Sequence, residues 1–132
     1  MLLYHKIVGL STEARCAKGC FFAALKTENG IETINANHIM YSEAHDHYQY
    51  VVLDNHRQIK VRATVTELLT VLMRSGGFVR VGSAYIVNLR NVKNVSTYRM
   101  DLYNDMSIPI PRGKHIEIKK AFWNYQYEGQ ED

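Results

Sequence analysis

Twelve of the chain's sixteen Lys and Arg residues lie between positions 57 and 120, where only four carboxylates accompany them. That stretch carries +8 and the remainder −5, which gives the net +3. A basic segment between acidic ends suggests a polyanion partner, although a solvated basic face has the same composition. Arg80 illustrates the choice: it can face a phosphate or pair with a carboxylate inside the domain. His45 and His47 raise a second chemistry. Residues i and i+2 of a strand point the same way, so two imidazoles could converge, with His38 or Asp46 adding a ligand. No sequence-local set completes a coordination shell, so no metal site is expected. Cys16 and Cys20 have no second pair nearby and read as reduced, structurally ordinary thiols. There is no phosphate-cradling Gly-rich loop, no nucleophile elbow and no paired-carboxylate constellation. The chain therefore reads as a non-enzyme without a cofactor.

The elements that must position these residues are mostly strands. Phe21 to Thr27 runs into Asn29-Gly30, a favoured two-residue hairpin turn, and 31–36 returns from it. Further strands are expected over 38–43 and 47–53, with Asp54-Asn55 as a turn. Residues 57–62 alternate polar and apolar, the pattern of a half-buried strand with one basic, wet face. Thr64 and Glu67 are spaced as a capping box, and Leu68, Leu69, Leu72 and Met73 share one face of the helix that follows. Gly76-Gly77 ends it. Short strands follow near 78–81, 92–95, 98–103 and 106–110, with Asn104-Asp105 turning the last hairpin. A second helix is expected over 113–122, burying Ile116, Ala121 and Phe122. Tyr98 and Tyr103 read as strand packing residues. Many short strands with one internal and one C-terminal helix make a mainly β domain.

With 132 residues the chain fits one domain and short extensions. Residues 1–19 read as a leader or linker, 20–122 as the domain and 123–132 as an acidic tail. No apolar run is long enough to span a membrane, and the N-terminus lacks the pattern of a secretory signal, so a cytoplasmic location with no membrane partner is expected.

Three motifs carry a family resemblance. Residues 78–89 read Phe-Val-Arg-Val-Gly-Ser-Ala-Tyr-Ile-Val-Asn-Leu. This resembles the LytTR signature Phe-x-Arg-x-His-Arg/Lys-Ser-Tyr/Phe-Ile/Leu-Val-Asn. Ile108-Pro109-Ile110-Pro111-Arg112 resembles that family's late Ile-Pro-Val/Ile-Ser-Arg element. Ile39-Met40-Tyr41-Ser42-Glu43-Ala44 resembles its early strand, Ile-x-Tyr/Phe-Ile/Val-Glu-Ala/Ser. Order and spacing agree, over about residues 20–122. The resemblance implies about ten strands in small, mainly antiparallel sheets. It also implies sequence-specific binding of double-stranded DNA at promoter direct repeats, in the output modules of bacterial two-component response regulators. Loops at one edge would enter successive major grooves, and a receiver domain or a second copy on DNA would be the protein partner.

Carried over by position, Arg112 matches the family's base-contacting Arg, whose fork suits guanine O6 and N7. Lys114 and His115 lie just beyond it, within reach of phosphate. The first recognition loop falls on 44–49, where His47 or Tyr48 occupies the groove-entering place. Arg80, Ser83 and Asn88 belong to the middle motif, and Asn88 also suits a hydrogen-bonding role in a turn. Phe78, Tyr85, Ile86 and Val87 are core candidates. The middle motif departs from the family pattern. Gly82, Ser83 and Ala84 replace a His, a basic residue and a Ser, and Pro111 replaces a Ser. Those losses support an alternative, a LytTR-like protein-interaction module with weakened or lost DNA binding. RNA is the nearest nucleic-acid rival, since Tyr48, Tyr50, Tyr98 and Tyr103 could stack on bases, but no RNP-type motif accompanies them.

Overall fold

The apolar pattern resolves into ten strands and two α-helices in the structure, a computed structural model that describes residues 21–128. Cys16, Cys20, the rest of the expected leader and acidic residues 129–132 lie outside the described residues. In chain order the elements are β1 (Phe22–Thr27), β2 (Gly30–Asn35), β3 (Ile39–His45), β4 (Tyr48–Leu53), β5 (Gln58–Arg62) and α1 (Val65–Leu72). They continue with β6 (Phe78–Val81), β7 (Tyr85–Asn88), β8 (Val92–Val95), β9 (Arg99–Leu102), β10 (Ser107–Pro109) and α2 (His115–Glu128). Seven strands form one sheet in the order β2-β1-β5-β4-β3-β7-β6, and three form a second in the order β10-β9-β8. Every pairing is antiparallel. The mainly β architecture with one internal and one C-terminal helix is as expected.

The larger sheet is covered on both faces. Val51, Ile59, Val61 and Ile86 pack with Leu68 and Leu72 of α1. Tyr41, Val81 and Val87 look the other way, toward Met100, Leu102 and Ile108 of the small sheet and Ile118 of α2. Burial on both faces explains β7, which the alternation rule does not register as a strand. Tyr85, Ile86, Val87 and Asn88 are all half-buried or buried, so no polar residue marks a wet side. β5 shows the opposite case: Ile59 and Val61 are buried, whereas Gln58 and Arg62 are exposed.

Local signals behave as their chemistry dictates, with a few displacements. Thr64 accepts from the Glu67 N–H at 3.1 Å, and Glu67 accepts from the Thr64 N–H at 2.9 Å, which completes the capping box. Thr64→Ala should lower stability by about 1 kcal/mol, measurable by urea unfolding. Leu68 and Leu72 fill the core while Met73, at the helix C-cap, is exposed. The first hairpin turns through Glu28-Asn29, with Thr27 paired to Gly30. Only Gly30 takes a positive φ, and the Thr27 hydroxyl accepts from the Asn29 N–H, so the turn sits one residue earlier than expected.

α2 begins two residues later than expected and runs on to Glu128. Ile118 is buried, and Ala121, Phe122 and Tyr125 pack against the same core, giving an i, i+3, i+4, i+7 stripe. Ile116 lies off that stripe and is exposed. The helix continues because Tyr125 seats against Gly77: a Cβ there would lie 2.7 Å from its ring. Tyr98 and Tyr103 are also corrected. Both sit in turns and are exposed rather than packed.

Candidate nucleic-acid interface

Strand register places four turns at one edge of the molecule. The β3–β4 turn (Asp46-His47) ends a ladder in which His45 pairs with Tyr48. The neighbouring β6–β7 turn (82–84) is tied to it, because the Ala44 N–H donates to the Ala84 carbonyl at 2.8 Å. A Cβ added to Gly82 would lie 3.1 Å from the Pro111 ring, so the segment leaving β10 sits directly against that turn. The β8–β9 turn adjoins the same segment, since Ile110 N–H donates to the Tyr98 carbonyl at 2.9 Å. Early, middle and late motifs, which begin at residues 39, 78 and 108, thus meet at one edge.

Most of the residues singled out by sequence are brought together here. Arg80 and Ser83 line a cleft of about 510 Å³ with Gly82, Pro111 and Lys114. Val79 and Ile118 supply its apolar floor. Arg112 is exposed in the turn between Pro111 and Gly113. That turn closes through Lys114 N–H to the Pro111 carbonyl at 3.1 Å, with Gly113 at φ +82. Lys114 reaches Glu117 at 3.8 Å, an exposed and therefore weak pair. Among the described residues Arg80, Arg112 and Arg62 form no ion pair. Among the described residues no carboxylate is paired with Arg80, although Glu117 lines the same cleft. Arg80 is exposed on an edge strand beside Ser83.

Other expected contacts sit differently. His47 is exposed at the tip of its turn, but Tyr48 is half-buried in β4 with the Lys60 ammonium 4.2 Å from its ring centre. Gln49, placed in the recognition loop by sequence, is buried, and its amide donates to the Ala63 carbonyl at 3.1 Å. His45 faces Glu43 at 3.6 Å and stacks edge-on with Tyr50, while His38 pairs with Asp54 at 2.8 Å near the other end of the sheet. The imidazoles are thus engaged separately. Asn88 is the clearest correction. It is 3% exposed and donates to the Ile39 carbonyl at 2.8 Å, while its oxygen accepts from Arg90 N–H at 3.0 Å. Both ends of the amide are satisfied by backbone, so it fixes the turn after β7 and does not face a ligand.

Sequence reasoning also missed contributors. Arg62 lies opposite Tyr48 in the strand register, which puts a cation with no ion pair among the described residues at the same edge. The wet face of β5 was its signal; what was missing was the register. The +8 segment, by contrast, is not one patch. Arg57 is bound to Glu32 at 2.6 Å, and Arg90 lies at the opposite end, after Asn88. Near the interface, burial first and Glu43 second raise the Tyr85 pKa, so its hydroxyl stays protonated and donates to Glu43 at 3.3 Å. Asp101 is held below its usual range, chiefly by the Ser107 hydroxyl at 2.8 Å, with Arg99 also nearby.

The family model for the LytTR DNA-binding domain matches residues 29–123, most of the chain and all three motifs. The chain belongs to the LytTR family. LytTR domains bind DNA in regulation and are not catalytic domains. A solved LytTR DNA-binding domain from Bacillus cereus superposes with a TM-score of 0.63 at 23% identity, over 76% of this chain and 94% of that one, a likeness of fold. No curated protein matches the chain. Among the described residues no helix is long and apolar enough to cross a membrane.

Proposed function

We propose that this LytTR domain reads duplex DNA with the four-turn edge, in the service of bacterial transcription regulation. The observation that carries the reading is the Gly82–Pro111 approach, which sets Arg80 and Ser83 beside the segment that carries Arg112, neither Arg being ion-paired among the described residues. Arg112 is the base reader: exposed, at a turn tip and fork-shaped for guanine O6 and N7. Arg80, Lys114 and Arg62 meet phosphates, and Ser83 contributes a short hydrogen bond to phosphate or base. His47, at the tip of the β3–β4 turn, addresses the neighbouring groove, with Tyr48 behind it as support for Lys60. Entry into two successive grooves on one side requires bent DNA, and the added contacts offset the bending cost.

The target is expected to be a direct repeat in a promoter, occupied by two copies or by one copy carried on a receiver domain. Selection from a random duplex library tests this, with affinity then measured at two salt concentrations. Enrichment of a short motif repeated near one helical turn is the expected result. Log affinity should fall with log salt with a slope of about −0.9 for each phosphate contact. Salt-sensitive binding without enrichment would sink the sequence-specific reading. No duplex binding at either salt would favour the protein-interaction alternative that Gly82, Ser83, Ala84 and Pro111 motivate.

A further inference from the structure

Tyr98 is 80% exposed, the most exposed of the large apolar or aromatic side chains among the described residues. Strand alternation would bury it. Arg99 pairs with Pro109 and Met100 with buried Ile108, so the next position back, opposite buried Ile110, belongs on the core side. The turn prevents this. Ser96 N–H donates to the Arg99 carbonyl at 2.9 Å, and the Ser96 hydroxyl engages both backbone groups of Arg99 at 3.1 and 3.3 Å. Those bonds peel Tyr98 off the sheet. Its own carbonyl stays fixed to Ile110 N–H at 2.9 Å, two residues before Arg112. Among the described residues neither its ring nor its hydroxyl has a partner.

An exposed tyrosine on a well-tied turn is a rigid, amphipathic contact that loses little conformational entropy on binding. The charge around it narrows the choice of ligand. Neighbouring Arg99 is bound to Asp101 at 3.2 Å, and Asp101 is itself held charged by Ser107. The turn therefore presents a hydroxyl donor beside a cation that its own carboxylate already balances. That suits one hydrogen bond to a phosphate oxygen more than a charge-driven contact.

We infer that Tyr98 is a further DNA contact of this domain, its hydroxyl donating to a backbone phosphate flanking the groove that Arg112 enters. The inference rests on the DNA-binding reading of this edge and gives its β8–β9 turn a contact residue.

Full-length Tyr98→Phe and Tyr98→Ala, with Arg112→Ala as comparison, would be measured on a selected duplex and a random duplex at two salt concentrations. Tyr98→Phe should weaken both duplexes by the same factor, roughly three- to tenfold, the usual net effect of losing one solvent-accessible hydrogen bond. The salt slope should not change, because no cation is lost. Hydroxyl-radical footprinting should show lost protection at one backbone position beside the Arg112 groove. Three results would overturn the inference. Wild-type affinity in both Tyr98 variants while Arg112→Ala is impaired removes Tyr98 and leaves the DNA reading intact. A loss confined to the selected duplex makes Tyr98 a base reader. A wild-type chain that binds neither duplex removes the DNA reading and the Tyr98 contact together.

Discussion

Arg112→Ala is expected to weaken binding to the selected duplex by about 1–3 kcal/mol, roughly five- to 150-fold, with little change on random duplex. The guanidinium is exposed, unpaired among the described residues and carried on a turn closed by Lys114 N–H to the Pro111 carbonyl. Nothing inside the domain depends on it, so thermal unfolding should be unchanged, and the loss can be read as lost contact. Arg112→Lys separates two roles. An ammonium keeps the charge but lacks the planar fork, so a bidentate guanine contact would be lost almost as fully as with alanine. A phosphate contact would largely survive. Equal losses on selected and random duplexes would move Arg112 to the backbone and leave base reading to His47 and Ser83.

The legible parts of this chain were those in which a few neighbouring residues decide the outcome. Thr64 and Glu67 cap their helix through each other, and Gln58 to Arg62 alternates because one sheet face is wet at that point. The three motifs sufficed for the family because they are ordered along the chain. Tertiary choices were not legible. Ile116 and Ile118 are equally apolar, and the helix start set by the Pro111–Gly113 turn decides which of them faces in. Asn88 looks like any exposed loop asparagine until β3 supplies the Ile39 carbonyl beside it. Composition shows a basic segment but not where its charges lie, and register sends Arg62 to one end and Arg57 and Arg90 to the other. Tyr98 followed its strand's alternation on paper and left it because Ser96 ties the turn.

The second large effect concerns two of the departures from the family pattern, Gly82 and Pro111, which lie against each other in the structure. Gly82 stands where the LytTR signature that the middle motif resembles has His, Pro111 where the late element has Ser, and a side chain at position 82 would meet the Pro111 ring. Gly82 holds φ +69, a conformation that an L side chain adopts at a cost of about 1–2 kcal/mol. A Cβ there would also press on the Pro111 ring at 3.1 Å, and a fixed ring has little freedom to yield. Gly82→His alone should therefore destabilise the domain by about 2–4 kcal/mol, although it restores the family residue. It should also disturb the turn that carries Arg112. Pro111→Ser opens the space and should cost little. In the double variant the steric part disappears, so a double-mutant cycle in urea should show a favourable coupling of about 1–2 kcal/mol. Additive effects would mean that the two positions diverged independently. If the coupling appears, DNA affinity should follow it, with the double variant binding at least as tightly as the native chain and Gly82→His binding more weakly. The substituted loop is then a repacked reading edge, in which Pro111 fills the space vacated at position 82 and leaves Arg80, Ser83 and Arg112 to face the duplex.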